Sequence, residues 1–99
     1  MARKQMFLAA AWSEQYKKSY ADLQSAEQQG ADRVAIALIK REPTPGMRVK
    51  PIEPDKYYRE ARINDGGRTI FREEAGAVFF IDVVKHDDIG KYGRKPPGA

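Results

Sequence analysis

The sequence contains no cysteine and a single histidine, His86, in 99 residues. The absence of cysteine excludes disulfides, thiolate zinc sites, iron–sulfur clusters and cysteine nucleophiles. One histidine excludes a multi-histidine metal centre within one chain. No apolar run approaches the ~20 residues of a membrane span. The apolar stretch from Met6 to Trp12 is at the lower limit of a signal-peptide core, and no cleavage site follows it. It reads as a first strand, and the chain as cytoplasmic. There is no P-loop, no glycine-rich dinucleotide fingerprint, no G-x-S-x-G and no H-E-x-x-H, so the familiar nucleotide, acyl-transfer and zinc-protease signatures are missing.

What is present is a small basic domain. Eighteen Lys and Arg face fourteen Asp and Glu, a formal charge of +4. Apolar residues make up 41% and charged residues 32%, a globular balance. A chain of this length forms one domain around one core. Excess positive charge makes a polyanion a natural partner.

The first half has helical spacing. Ser13 stands where an N-cap belongs. Tyr16, Tyr20, Leu23 and Ala26 then mark an amphipathic helix over about 13–28. Gly30 suits the left-handed position at its end. Ala31-Asp32 opens a second helix, with Val34, Ala37 and Leu38 on one stripe, and Pro43 and Pro45 stop it. From Met47 the period changes to two. Met47 to Lys50 reads as a strand start, and Ile52 to Asp55 as a turn. Tyr57 to Ile63 alternates, with Tyr57, Arg59, Ala61 and Ile63 on one face and Tyr58, Glu60, Arg62 and Asn64 on the other. Asn64-Asp65-Gly66-Gly67 is a hairpin turn, and Arg68 to Arg72 the return strand. After a second turn at Glu73–Gly76, Ala77 to Val84 is the most apolar strand. Lys85 to Tyr92 leaves the sheet, and 93–99 reads as a flexible basic tail beyond a domain of 1–92. The order β-α-α-β-β-β predicts an α+β fold. A first strand and a three-strand antiparallel meander carry a helical hairpin on one face and leave the other open.

Arg62 precedes the hairpin and Arg68 follows it, so the two should be near cross-strand neighbours. Adjacent guanidinium groups require an anion or a carboxylate. Glu60 is the available carboxylate, and a phosphate is the functional alternative, because the guanidinium fork matches phosphate oxygens. Histidine is the side chain that ordinarily titrates near neutral pH. His86 lies at a strand end beside these arginines, and Tyr92 follows six residues later.

The element order and the stretch Tyr57-Tyr58-Arg59-Glu60-Ala61-Arg62-Ile63-Asn64-Asp65-Gly66-Gly67-Arg68-Thr69-Ile70-Phe71 resemble the RelE/ParE superfamily of bacterial toxins. So does the passage from the apolar strand at Val78 through a His-containing turn to Tyr92. The resemblance implies a type II toxin that is a metal-independent mRNA endoribonuclease. It would act on the ribosome, inhibit translation, need no small-molecule cofactor and be held by a cognate antitoxin protein. It implies catalytic roles for Arg68 on the scissile phosphate and for His86 and Tyr92 in proton transfer or orientation. It implies a further catalytic cation at Arg62 or Arg59; strand register decides which. Arg59, Arg72, Lys50 and Lys85 would bind RNA phosphates. The gyrase-poisoning ParE branch shares the fold and is the alternative. A third reading is a non-catalytic relative, in which Glu60 and Asp82 pair with Arg62 and Arg68. The antitoxin would dock on the first helix or the groove beside it, or add a strand to a free edge.

Overall fold

Ser13 both ends the first strand and begins the first helix. Its Oγ accepts from the Tyr16 amide at 2.9 Å, an N-cap, and donates to the Ile81 carbonyl at 2.6 Å. The computed structural model describes residues 7–99, so Met6 of the expected first strand lies outside the described residues. The elements are β1 (Ala9–Trp12), α1 (Glu14–Ala21), α2 (Ser25–Ile39), β2 (Lys50–Pro51), β3 (Arg59–Arg62), β4 (Gly67–Glu74) and β5 (Ala77–Lys85). Single-turn and longer 3-10 segments occupy Pro45–Met47 and His86–Tyr92.

The helical boundary is not where the periodicity puts it. The helix expected over 13–28 stops at Ala21. Gln24 then starts α2 with a capping box, its backbone amide donating to Glu27 Oε1 at 3.2 Å. Gly30 is a buried residue within α2, not a terminator. A Cβ there would lie 2.5 Å from Ile63 Cγ2, at the end of β3. Glycine at this position lets the helix approach the sheet.

The strands form one sheet in the order β1-β5-β4-β3-β2. β3, β4 and β5 are the expected antiparallel meander, and β1 lies parallel to β5. Met47 to Lys50 gives little strand. Pro45–Met47 turns as a 3-10 segment, and only Lys50 and Pro51 pair, opposite Glu60 and Arg59. Pro51 has no amide to extend a ladder. Between β4 and β5 the pairing shifts at Ile70/Phe71, which leaves Ile81 as the extra residue on β5.

Ala61, Phe71, Val78, Phe80 and Val83 face Tyr16, Val34 and Leu38 and form the core. The other face carries Glu60, Arg62, Arg68, Ile70 and Asp82. The expectation of an open face requires correction. The chain from His86 to Lys95 crosses this side of the sheet, from the end of β5 to the turn at 53–55. His86 N donates to Gly66 O at 2.9 Å, Asp55 N to Gly93 O at 3.0 Å, and Lys95 N to Asp55 Oδ2 at 2.7 Å. Gly93 is buried, so the first residues of the 93–99 tail are anchored. Two of these three bonds join backbone to backbone, which leaves no pattern in the sequence. Among the described residues, no helix is long and apolar enough to cross a membrane.

Candidate active site

The register puts Arg59 and Arg62 in different surroundings. Arg62 stands directly opposite Arg68, while Arg59 stands opposite Phe71, on the face that carries the helices. Arg59 lines a separate cleft with Leu38, Arg41 and Val49. The cation pair at the hairpin is therefore Arg62 and Arg68.

The two arginines are held differently. Arg68 Nη1 donates to the carbonyls of Asn64 at 2.8 Å, Gly67 at 2.9 Å and Asp65 at 3.3 Å. Its Nε lies 3.5 Å from Glu60 Oε1, and its side chain is 13% exposed. Arg68 is thus built into the turn. Arg62 pairs with Asp65, whose side chain is 95% exposed. An ion pair so open to water is weakly held, and a phosphate can compete for the guanidinium. Glu60 takes Arg68, as the salt-bridge reading expected. Asp82 pairs with neither arginine, so the arrangement foreseen for a non-catalytic relative is only half present.

His86 joins this pair from β5. Its backbone is fixed to Gly66, while its side chain is 59% exposed, with Nδ1 3.5 Å from Asp87 Oδ1. The backbone at the hairpin end therefore brings the positions of Arg62, Arg68 and His86 near one another.

The other candidates lie elsewhere. Lys85 pairs with Gly67 and lines a polar cleft of about 360 Å³ between the helices, the hairpin turn and the crossing segment, with Asp22, Glu27, Gly66 and Lys91. Lys50, opposite Glu60, is exposed at the β2 edge. Arg72 is engaged by Glu74 at 2.8 Å and the Tyr57 carbonyl at 3.1 Å, and lies 3.7 Å over the Tyr57 ring. Tyr92 donates to Asp82 Oδ2 at 2.5 Å and packs edge-on against Tyr58 at 5.4 Å. Asp82 is 2% exposed and also accepts from Ser19 Oγ at 2.5 Å and its neighbour's amide, Val83 N, at 2.8 Å. Burial, then the Asp82 hydrogen bond, raises the Tyr92 pKa well above its ordinary value. The phenol keeps its proton at neutral pH and serves as a donor that pins the crossing segment to β5. Sequence reasoning missed two parts of this site: Asp65 as the partner of Arg62, and the carbonyl cup around Arg68. The turn residues Asn64 to Gly67 were the available signal. Among the described residues, no three His, Asp or Glu side chains converge to hold a metal ion.

The architecture matches that of solved RelE-like toxin structures. No family model matches the sequence, and no curated protein matches it. Solved structures do match. The chain is similar to a structure of the Escherichia coli DinJ–YafQ toxin–antitoxin complex, with TM-score 0.71 and 18% identity over 81% of this chain and 93% of the other. It is also similar to a copper-bound mutant toxin from Helicobacter pylori, with TM-score 0.69 and 15% identity over 82% and 97%. The Mycobacterium tuberculosis RelBE2 toxin–antitoxin complex gives TM-score 0.64 and 16% identity over 81% and 99%.

Proposed function

We propose that this chain is the toxin of a type II toxin–antitoxin system and cleaves mRNA on the ribosome, in the cytoplasm, without metal. A cognate antitoxin protein holds it inactive. The observation that carries the reading is the gathering of Arg62, Arg68 and His86 at the β3–β4 hairpin, with the partner of Arg62 exposed.

The reaction uses the 2′-hydroxyl of RNA as nucleophile. A base takes its proton, the 2′-oxygen bonds to phosphorus, and the bond from phosphorus to the 5′-oxygen breaks. An acid then protonates that oxygen, leaving a 2′,3′-cyclic phosphate. His86 serves as the acid or the base. Arg62 exchanges Asp65 for the scissile phosphate and stabilises charge developing on the phosphorane. Arg68 fixes the hairpin and supplies positive potential from beneath. Tyr92 holds the segment that carries His86, as a positioning residue. Lys50, paired with Glu60, would meet RNA phosphates on the same face. Arg59, Arg72 and Lys85 would meet RNA only beyond this site. The ribosome supplies orientation of the message, which is worth several kcal/mol in oriented reactions, on the order of 7–11 at best.

The test is end-mapping of a reporter mRNA in cell-free translation with the purified protein and its Arg62→Ala and His86→Ala variants. Cuts that require ribosomes and vanish in both folded variants support the reading. One observation favours the second reading, ParE-like gyrase poisoning: Arg68 is tied by Nη1 to the turn carbonyls and by Nε to Glu60. No cuts, together with altered DNA supercoiling by gyrase, would establish that alternative instead.

A further inference from the structure

The chain as a whole is basic, with a formal charge of +4, but its hairpin end is not. Arg62, Arg68 and Lys85 stand at that end of the sheet. Four carboxylates accompany them. Glu60 and Asp65 pair with the two arginines, Asp87 lies beside His86, and Asp88 lines the cleft against the hairpin turn. A surface that attracts any polyanion concentrates its cations instead.

These carboxylates are of two kinds. Glu60 is buried with Arg68 and belongs to the framework of the hairpin. Asp65 and Asp87 do not. Asp65 pairs with Arg62, and Asp87 lies 3.5 Å from His86 Nδ1 with its side chain 98% exposed. Among the ion pairs of the described residues, these are the two most exposed acids. Pairs so open to water add little to stability. Yet each one holds a side chain that the reaction uses.

Their effect falls on binding. An RNA phosphate that reaches Arg62 must displace Asp65, and it then lies beside the displaced carboxylate. Like charges about 4 Å apart in water weaken binding roughly fivefold. A strand that approaches His86 meets Asp87 in the same way. A message oriented by the ribosome is presented at high effective concentration, which offsets this repulsion. A free strand has no such help.

We infer that Asp65 and Asp87 are specificity-determining residues. They are resident counter-ions that turn free RNA away from the site, and so confine cleavage to messages held on the ribosome. The inference rests on the ribonuclease reading above and names what restricts its substrate.

Asp65→Asn keeps the backbone carbonyl that Arg68 uses, and asparagine suits a turn. Asp87→Asn alters an exposed side chain. Glu14→Gln is the control, because it removes the same charge from an exposed side chain on α1. Each purified variant is titrated with a fluorescent single-stranded RNA oligonucleotide, and cleavage of a reporter message is compared with and without ribosomes. Asp65→Asn and Asp87→Asn should each bind the free strand roughly fivefold more tightly at low salt, and the gain should shrink as salt rises. Cleavage by these two variants should depend less on ribosomes. Glu14→Gln should bind as the unaltered chain does. Unchanged or weaker affinity in both aspartate variants, or an equal gain in Glu14→Gln, overturns the role of the aspartates while leaving the ribonuclease reading intact. Failure of the unaltered chain to cut the message on ribosomes overturns both.

Discussion

Replacing Gly30 by alanine tests a close approach of helix to sheet. In an ordinary helix interior this change stabilises by about 1 kcal/mol, because glycine is entropically costly there. Here the new Cβ would stand 2.5 Å from Ile63 Cγ2. Carbon atoms rest at about 3.5–4.0 Å, so α2 or the end of β3 must shift by roughly an ångström. Overpacking of this kind costs about 1–3 kcal/mol. The expected net effect is a destabilisation of about 0–2 kcal/mol, opposite in sign to the helix rule. Ile63→Ala removes the offending methyl. In that background Gly30→Ala should stabilise by about 1 kcal/mol, giving a coupling of about 1–3 kcal/mol between the two positions. Urea unfolding resolves this, since with a slope of about 1–3 kcal/mol per molar each kcal/mol moves the midpoint by roughly 0.3–1 M. Equal stabilisation by Gly30→Ala with and without the Ile63 side chain would refute the close-approach argument.

Thr69 is fully buried and its Oγ1 lacks a partner, so Thr69→Val should raise stability by about 1 kcal/mol, seen as a melting midpoint about 4–8 °C higher. A lower midpoint would mean that the hydroxyl is satisfied. Burial raises the pKa of Tyr16 and Tyr92 in the folded chain, while unfolded tyrosine titrates near 10. The folded state therefore holds protons that the unfolded state releases. Stability is fully present below about pH 10 and falls as pH rises beyond it, an effect that Tyr92→Phe should reduce in alkaline urea titrations. Arg62→Ala should abolish mRNA cleavage with little change in melting, whereas Arg59→Ala, on the helix face, should leave cleavage within about threefold of the unaltered chain on the order expected of a remote surface site. Equal losses in the two would remove the register-based assignment.

The features legible in the sequence are those set by neighbours along the chain. Ser13 caps a helix three residues before the amide that donates to it. Asn64 to Gly67 closes a hairpin with Gly66 N on Asn64 Oδ1 at 3.0 Å, and places Arg62 opposite Arg68. The features that were not legible depend on distant partners. The amphipathic stripe of Tyr16, Tyr20 and Leu23 runs through the break between α1 and α2, so periodicity cannot show it. Gly30 looked like a helix end because its reason, Ile63, is far along the chain. The cup around Arg68 is made of carbonyls, which every residue has. Tyr92 could be suspected of chemistry, but its hold on Asp82 required the path of the crossing segment.

The parallel pairing of β1 with β5 has a consequence for biosynthesis. Ala9 to Trp12 find their partners at Ala77 to Phe80, so β1 leaves the ribosome well before the strand it pairs with. Sheets closed by such remote pairings fold slowly relative to those built from local hairpins. The helices and the β3–β4–β5 meander can assemble earlier, but the first strand has no place in the sheet before β5 has emerged. A chain interrupted before that point would leave the apolar strand Ala9 to Trp12 unpaired, because its ladder partners are not yet made.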